Sequence, residues 1–400
     1  MHILLVADGR SIITLRWLEG LLSLGYRVSM VSTFPCEKPN GITHFLVLPL
    51  AFSKMAGGQV ALQKSDANKI HFKRTLNTLR GFLLSLRYAL GPLTIPVYAR
   101  RYQRFVEQVQ PQVVHALRIP FEGMLASATP QTVPLVISIW GNDLTLHAHG
   151  SALMSSWTKR TLQRAQGLMA DTQRDVQLAK EWGLAEAAPS LVVPGNGGVH
   201  LAALQEQRQA GKKSTINLPA DRQFVINPRG FRPGSVHQET FFKAIPLILK
   251  KQTKTHFLCP AMLGQPQAER WLRDLQIENH ITLLPYLPQV QLWELYLRSQ
   301  VYVSLSSHDG TPNTFLEAIA CGCYPVVGDI ASLREWVNAD QNGALVDPLD
   351  VSATAQAILL ALQDAPLRQK AAAYNAKLIR EQAEVGVVRK KTADFYQQFS

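Results

Sequence analysis

Residues 301–327 read VYVSLSSHDGTPNTFLEAIACGCYPVV, and this stretch decides the fold. Its first apolar run, Val301 to Leu305, predicts a buried strand that ends in a polar turn. Apolar residues then recur at helical spacing from Asn313 to Cys321. Pro312 suits the first helical turn, because its missing N–H would have no partner there. A second apolar run, Tyr324 to Val327, predicts the next strand. A strand, a helix and a strand in this order form a parallel βαβ unit.

The same alternation extends in both directions from this unit. Further strands are predicted at His2 to Ala7, Tyr26 to Val31, Phe45 to Leu48, Gln112 to His115, Leu135 to Ile139, Leu168 to Ala170, Leu191 to Val193, Phe224 to Asn227, Thr255 to Cys259 and Ile281 to Leu283. Helices are predicted at Leu15 to Leu24, Glu239 to Lys250, Gln267 to Leu275 and Gln289 to Arg298. Strands that are apolar on both faces predict parallel sheets covered by helices on both sides.

The alternation breaks between residues 193 and 220, where PGNGG and GKKS indicate a linker with one short helix. The sequence therefore predicts an α/β protein with two Rossmann-like, doubly wound domains. The first domain is predicted over residues 1–200 and the second over 201–386, with a last helix at 387–400 crossing back to the first. Such domains are expected to face each other across a cleft that holds the ligand.

Composition limits the class of protein. Of 400 residues, 46% are hydrophobic and 18% charged, which excludes a disordered or fibrous chain. The net charge of +12 predicts a polyanionic partner: nucleic acid, an anionic membrane surface or a phosphorylated substrate. Cys321 and Cys323 are interpreted as buried thiols rather than metal or redox ligands. No apolar run approaches the roughly 20 residues of a membrane span. The opening MHILLVAD is interpreted as a strand rather than a signal peptide, which predicts a cytoplasmic protein.

The turn before the Asn313 helix combines an anion site with two carboxylates. The free N–H groups at the start of that helix favour an anion, and Gly310 allows a ligand close to the backbone. Asp309 and Glu317 are suited to accept hydrogen bonds from hydroxyls. A nucleotide sugar supplies both a pyrophosphate and hydroxyl groups. The alternative is that Asp309 caps the turn and Glu317 is a solvated helix residue.

The motif DGTPNTFLEAIACG, with the later GDIASLREW and NGALVDP, resembles the carboxylate-x7-Glu region of the retaining glycosyltransferases of family 4, which have the GT-B fold. This resemblance implies an enzyme that transfers a sugar from a nucleotide-diphosphate donor to an acceptor hydroxyl without a metal or other cofactor. It implies that Asp309 is a catalytic residue contacting donor-sugar hydroxyls, where Glu is usual, and that Glu317 binds the ribose. The shorter Asp309 leaves the sugar preference open.

The segment NPRGFRPGSVHQ resembles the part of the family that neutralises the donor pyrophosphate with an Arg and then a Lys. Arg229 and Arg232 fit this role, whereas the usual Lys, expected near His237, is absent; the alternative is a pair of exposed surface arginines. Tyr286 is expected to line the base pocket. The predicted donor site is completed by Gly9, Gly310, Thr311, Pro312 and Asn313.

On the acceptor side, the TLRW and SIWGNDL segments resemble signatures found in part of the family. The acceptor-side residues implied are Arg16, Trp140 and Asn142. Asp143 is the ionisable group expected nearest the cleft, either as a catalytic residue or as a helix cap. Trp17 is interpreted as a core residue, and His115 as a structural histidine.

An amphipathic helix is predicted from Phe72 to Leu90. One face carries Phe72, Leu76, Leu79, Leu83, Leu86 and Leu90, and its edge carries Lys73, Arg80 and Arg87, followed by Arg100, Arg101 and Arg104. One interpretation places this helix on an anionic membrane, at the inner face of the membrane, where the enzyme would meet a glycan or lipid-linked acceptor. The other packs it on its own domain with solvated charges.

Two other functions remain open from the sequence. A sugar-nucleotide epimerase of the same fold would turn over the donor without an acceptor. A basic nucleic-acid-binding protein is disfavoured, because the basic residues are scattered and no known nucleic-acid module is visible, so nucleic acid is not a predicted partner. The first strand is not followed by G-x-G-x-x-G, which argues against a dinucleotide oxidoreductase.

Overall fold

A computed structural model describes residues 1–53, 85–209, 216–232, 234–339 and 341–399. The chain divides into two compact units. The first unit comprises Met1–Gly197 together with Arg389–Ser400, and the second comprises Gly198–Val388. Each unit is built on one parallel sheet, which confirms the predicted architecture of two Rossmann-like domains.

Within the described residues, the sheet of the first unit has seven strands in the order β3-β2-β1-β4-β5-β6-β7. Their bounds are β1 His2–Ala7, β2 Arg27–Ser32, β3 Phe45–Val47, β4 Val113–Ala116, β5 Leu135–Ile139, β6 Gly167–Ala170 and β7 Ser190–Val192. All neighbouring strands pair in parallel. Strand β1 is buried throughout, as its unbroken apolar sequence predicts.

The helices of the first unit cover this sheet. They are Ile12–Ser23, residues 85–90, Thr94–Val109, Met124–Ala126, Ala152–Arg164, Gln173–Glu181 and, from the C-terminal segment, Val385–Tyr396, whose first residues belong to the second unit. Shorter turns are the 3-10 helices Gly91–Leu93, His147–His149 and Gln397–Phe399 and the π-helical turn Ile119–Gly123. The hydroxyls of Ser151 and Thr172 accept hydrogen bonds from Met154 N and Asp175 N and cap two helices that the sequence analysis did not predict.

In the described part of the second unit, six strands form a sheet in the order β10-β9-β8-β11-β12-β13. Its strands are β8 Gln223–Ile226, β9 Thr255–Cys259, β10 Ile281–Leu283, β11 Ser299–Ser304, β12 Tyr324–Gly328 and β13 Ala344–Val346. The order reverses between β8 and β11, because β8 leads on to β9 and β10 on one side and lies beside β11 on the other. In doubly wound sheets, ligands bind at the carboxyl ends of the strands at such a reversal.

The helices of the second unit are Leu201–Gln209, Gln238–Leu249, Pro266–Leu275, Gln289–Arg298, Asn313–Ala320, Ala331–Arg334, Val351–Gln363 and Ala365–Gln382, with a 3-10 turn at Glu278–His280. Cys321 and Cys323 pack in the core of this unit as free thiols, as the sequence predicted.

Candidate active site

Arg229 and Asp309 form an ion pair at the reversal point of the second sheet. Arg229 follows β8, and Asp309 lies in the turn after β11. The Arg229 side chain is only 6% exposed and that of Asp309 19%. Burial acts to lower the pKa of Arg229, but the carboxylate of Asp309 raises it above its ordinary value. The arginine therefore remains charged in a site that is largely closed to water.

The Asp309 carboxylate is held by three donors. Besides the guanidinium of Arg229, the Ser306 hydroxyl donates to Oδ2 at 3.1 Å, and the Gly310 N–H donates to Oδ1 at 3.2 Å. The Ser332 hydroxyl also donates to the Asp309 carbonyl oxygen at 2.8 Å. Asp309 thus fixes both the arginine and its own turn.

Arg232 adds a second positive charge. Its side chain is exposed, and the charge of Arg229, more than burial, lowers the pKa of Arg232 to about 10. Asp309 and Tyr286 offset part of this effect, so both lie near Arg232. Two neighbouring guanidinium groups lie near one carboxylate, which pairs with Arg229, and this excess of positive charge favours an anionic ligand with more than one charge. The alternative of two exposed arginines is wrong for Arg229, which is buried.

The helix Asn313–Ala320 begins beside this arginine pair. Pro312 is the residue before the helix, and no side-chain cap hydrogen bond is made at this position among the described residues. The Thr314 hydroxyl, in the first turn, accepts a bond from Arg229 Nη1 at 3.4 Å. Thr311 is buried, and its hydroxyl accepts the Trp336 indole N–H at 2.9 Å. A guanidinium and an uncapped helix N-terminus therefore meet at one place, a combination that suits phosphate.

Glu317 lies one turn further along this helix and is only 5% exposed. Its Oε1 accepts a hydrogen bond from Gln289 Nε2 at 2.7 Å. The alternative that Glu317 is a solvated helix residue is therefore wrong. Tyr286, which was expected to line the base pocket, is 62% exposed. His237, near the position where the family resemblance would place Lys, bonds to the Ser307 hydroxyl at 3.0 Å.

In the first unit, Asp143 is fully buried and bonded. Arg118 Nη2 donates to Oδ1 at 2.6 Å, and the Ile119 and Trp140 N–H groups donate to Oδ2 at 3.1 and 3.3 Å. Its carboxylate has no exposed surface, so in this structure Asp143 orients Arg118 and the backbone after β4 and β5 rather than facing solvent.

The other first-unit residues implied by the resemblance lie around the same sheet edge. Trp140 is partly buried, and its ring centroid lies 5.4 Å from the guanidinium carbon of Arg118. It lines a small pocket together with Trp17 and Asp171. Arg16 and Asn142 are partly buried, and Gly9 is buried. A Cβ atom at Gly9 would lie 2.6 Å from Cys36 Sγ, so a larger residue would require Cys36 to shift. The other glycine of the donor prediction, Gly310, is also buried, whereas Asn313 is partly exposed.

His115 and Trp17 are core residues, as predicted. His115 Nδ1 bonds to the Tyr396 hydroxyl at 2.5 Å, and Nε2 bonds to the Ser138 hydroxyl at 2.8 Å. Burial lowers the pKa of His115 to about 3, which keeps the imidazole neutral. Trp17 packs edge-on against the His115 ring, with centroids 5.9 Å apart.

The predicted amphipathic helix is described only from residue 85 onward. Phe72, Lys73, Leu76, Leu79, Arg80 and Leu83 lie outside the described residues. Leu86 and Leu90 are exposed. The prediction that Arg87 lies on a basic outer edge is wrong, because its guanidinium packs 4.8 Å from the Phe121 ring centroid and is partly buried. The aromatic ring attracts the cation inward.

Sequence reasoning missed several residues of the two sites. Gln289 donates to Glu317, and Trp336 donates to Thr311. Both come from other parts of the second unit, and no local sequence pattern marks them. Arg118 and Glu122 could have been found, since they follow β4 at the carboxyl end of a predicted strand. Within the described residues there is no group of three or more His, Cys, Asp or Glu side chains that could hold a metal ion. None of the described helices is long and apolar enough to cross a membrane.

Comparison with known proteins identifies the class. Residues 213–378 match the family of glycosyl transferases group 1, and residues 9–197 match the glycosyl transferase 4-like domain. The chain belongs to the group 1 glycosyltransferases and has their two-domain GT-B fold. Both matched families are families of glycosyltransferases, which favours sugar transfer over the epimerase and nucleic-acid-binding alternatives.

Particular relatives are more distant. A D-inositol 3-phosphate glycosyltransferase of Thermobispora bispora is 26% identical over 231 residues, which cover 56% of this chain and 53% of the relative. The chain thus spans about half the length of this curated relative. Sucrose-phosphate synthase from Thermosynechococcus elongatus has a TM-score of 0.72 at 16% identity, covering 100% of this chain and 98% of that chain. Anabaena HepE in complex with UDP-glucose has a TM-score of 0.68 at 13% identity, covering 100% of both chains. These two structures establish the fold.

Proposed function

We propose that this glycosyltransferase takes a sugar from a nucleoside-diphosphate donor and transfers it to an acceptor hydroxyl with retention of configuration. The observation that carries the proposal is the meeting of Arg229, Arg232 and the uncapped start of the helix Asn313–Ala320 at the reversal point of the second sheet. A diphosphate provides several negative charges and many acceptor oxygens for these donors. UDP-glucose, the ligand named for the Anabaena protein, is a compound of this kind.

In the proposed reaction, the bond between the sugar anomeric carbon and the diphosphate oxygen breaks, and a bond to the acceptor oxygen forms on the same face of the sugar. The acceptor proton passes to the departing diphosphate. Arg229, Arg232 and the helix N–H groups stabilise the charge that develops on this leaving group, since they are already oriented before the reaction. This chemistry assigns the charge stabilisation to the protein's own donors without a metal ion.

Asp309 and Glu317 bind the hydroxyl groups of the donor in this proposal. Asp309 is partly exposed and pairs with Arg229, so it both positions the arginine that binds the diphosphate and is available to the sugar hydroxyls. Glu317 lies beside Gln289, which adds a neutral partner for ribose hydroxyls. Tyr286 is exposed near Arg232 and is available to pack against the base.

The acceptor binds on the first unit, close to Arg16, Trp140 and Asn142. We propose Asp143 as a positioning residue, since its buried carboxylate holds Arg118 at 2.6 Å and two backbone N–H groups. Breaking a buried pair of this kind leaves an uncompensated charge, so this part of the site is expected to be rigid.

The membrane interpretation now involves a different surface. Leu93 and Val97 are 56% and 73% exposed, and three exposed arginines follow on the helix Thr94–Val109: Arg100, Arg101 and Arg104. We propose that this basic and apolar surface binds an anionic bilayer that presents a lipid-linked acceptor. Wild-type protein should sediment with anionic vesicles at low salt, and Val97→Ser combined with Arg101→Glu should reduce this. Equal sedimentation with neutral vesicles would exclude the electrostatic part of the proposal.

Turnover of a panel of nucleotide sugars tests the proposed function. The expected result is slow release of one nucleoside diphosphate by hydrolysis, faster release with the correct acceptor, and a product whose anomeric proton coupling matches that of the donor. Inverted configuration would exclude retention. Absence of binding to every nucleoside diphosphate in calorimetry would exclude the donor class.

A further inference from the structure

Three arginines of the first unit gather at the carboxyl edge of its sheet. Arg10 follows β1, Arg118 follows β4, and Arg87 lies on the helical residues 85–90. Phe34, just after β2, lies near two of them: the Arg10 guanidinium carbon is 3.8 Å from its ring centroid and that of Arg87 is 5.5 Å away. Cations that share one aromatic ring repel each other, so this edge of the sheet favours the binding of an anion.

Arg87 has donors without acceptors. Its Nε is buried and has no hydrogen-bond partner among the described residues. Its guanidinium is 4.8 Å from the Phe121 ring centroid, and a ring face cannot replace an oxygen acceptor for every N–H. The Nε of Arg118 is also buried without a partner in the described part of the chain. An oxyanion would satisfy such donors, whereas leaving them unpaired costs free energy.

None of the described carboxylates forms an ion pair with Arg87. Asp8 pairs with Arg10 at 3.1 Å, and Asp143 pairs with Arg118 at 2.6 Å. Glu122 remains, but burial raises its pKa, and its Oε1 accepts the Thr33 hydroxyl at 2.6 Å instead. The pKa of Arg87 is lowered by burial and by the charge of Arg118, although Glu122 acts in the opposite direction.

Phe121, whose ring packs against Arg87, has a strained backbone conformation. Phe121 has φ +68° and ψ −48°, a conformation that bulky residues rarely adopt. Its ring packs so closely on the end of the Arg87 helix that a Cβ atom at Gly91 would lie 2.8 Å from it. Strain of this kind persists where the surrounding structure holds it, and it commonly accompanies binding sites. The position of Arg87 is therefore determined before any ligand arrives.

We infer that Arg87 and Arg118 bind an oxyanion, a phosphate or a carboxylate, on the acceptor substrate. The inference rests on the proposed function, which assigns the donor diphosphate to the second unit and the acceptor to the first. The planar fork of a guanidinium matches both kinds of oxyanion, and the two arginines offer more N–H donors than their protein partners accept. The acceptor is thus an anionic glycan, sugar or lipid rather than a neutral one.

The test uses the full-length protein saturated with UDP, so that the donor diphosphate site is occupied. Inorganic phosphate and acetate are titrated separately by calorimetry into wild type, Arg87→Gln and Arg160→Gln. Arg160 is an exposed arginine of the same unit, and its substitution removes the same charge. We expect at least one of the two anions to bind wild type and Arg160→Gln alike, and its Kd to rise about tenfold or more in Arg87→Gln. Preference for phosphate indicates a phosphate ester, and preference for acetate indicates a carboxylate.

Equal binding by wild type and Arg87→Gln, or no binding of either anion to wild type, would overturn the inference. Arg87→Lys provides a second variant if Arg87→Gln does not fold; it keeps the charge but loses the fork, and it should bind the anion more weakly than wild type. Failure of UDP to bind would count against the proposed function alone. The anion titration would then be repeated in Arg229→Gln, where the donor arginine is absent.

Discussion

Replacement of Arg229 by Gln tests the donor site most directly. In the free protein this arginine donates to Asp309 and to the Thr314 hydroxyl. After substitution, Asp309 retains the Ser306 hydroxyl and the Gly310 N–H as donors. Breaking a buried ion pair lowers the free energy of unfolding by roughly 3–5 kcal/mol. Because Asp309 is 19% exposed and keeps two other donors, we expect a smaller loss of stability here, about 2–3 kcal/mol.

The effect on binding follows from the same contacts. A charge-assisted hydrogen bond contributes about 1.5–3 kcal/mol, which corresponds to roughly 10- to 150-fold in Kd. Arg229 must exchange part of its interaction with Asp309 for the diphosphate, so we expect the lower part of this range, about 10- to 30-fold weaker binding of UDP. Uridine lacks the phosphates and should bind Arg229→Gln as it binds wild type.

Calorimetry with UDP and uridine on wild type, Arg229→Gln and Asp309→Asn gives the decisive comparison. Asp309→Asn keeps the arginine but removes the charge of its internal partner, so UDP should bind this variant at least as tightly as wild type while sugar transfer falls. Equal losses of UDP and uridine affinity in Arg229→Gln would refute a phosphate contact. Loss of UDP affinity in Asp309→Asn as large as in Arg229→Gln would refute the competition between Asp309 and the diphosphate.

Three further predictions concern other parts of the molecule. Glu317→Ala should raise the Kd for UDP about tenfold or more through loss of ribose contacts, and Gln289→Ala should raise it less; calorimetry showing no change would remove Glu317 from the site. His115 has a folded pKa of about 3, below the roughly 6.5 of an unfolded chain, so its contribution to stability is complete above pH 6.5 and falls by about 2 kcal/mol by pH 5. Denaturation midpoints should therefore depend less on pH in His115→Gln, and parallel curves would contradict this. Gly9→Ala should lower the Tm, because the new Cβ would lie 2.6 Å from Cys36 Sγ, and Cys36→Ala in the same chain should restore it unless the strain lies elsewhere.

Most of the fold could be predicted from the repeated alternation of strands and helices. Strands His2–Ala7, Leu135–Ile139 and Thr255–Cys259 lie at their predicted bounds, because continuous apolar runs of this length are buried only within parallel sheets. The three-residue edge strand Ala344–Val346 was not predicted, since it is too short to show a period. The helices Ala152–Arg164 and Gln173–Glu181 are strongly polar on one face and were also not predicted, although Ser151 and Thr172 mark their starts.

The candidate site was predictable where chemistry follows a strand or opens a helix. Arg229, Asp309 and Glu317 were selected in this way, and the structure brings Arg229 and Asp309 together. Contacts made across the fold left no local signal: the position of Arg87 against Phe121 depends on a strained turn more than 30 residues away. For this reason the sequence assigned Arg87 to an outer surface. Pairings of this kind depend on tertiary packing, which periodicity does not report.

The return of the chain's last segment to the first unit has a consequence for biosynthesis. Tyr396 supplies the hydroxyl that bonds buried His115, and 281 residues separate the two in sequence. At about 5–20 residues per second, a ribosome needs roughly a quarter of a minute to a minute to make the intervening chain. During this time the first unit lacks the Tyr396 side chain that packs on His115, because the second unit is made in between. We expect a chaperone that shields this surface to raise the yield of the nascent protein, and a fragment ending at residue 197 to lack the same part of the core permanently.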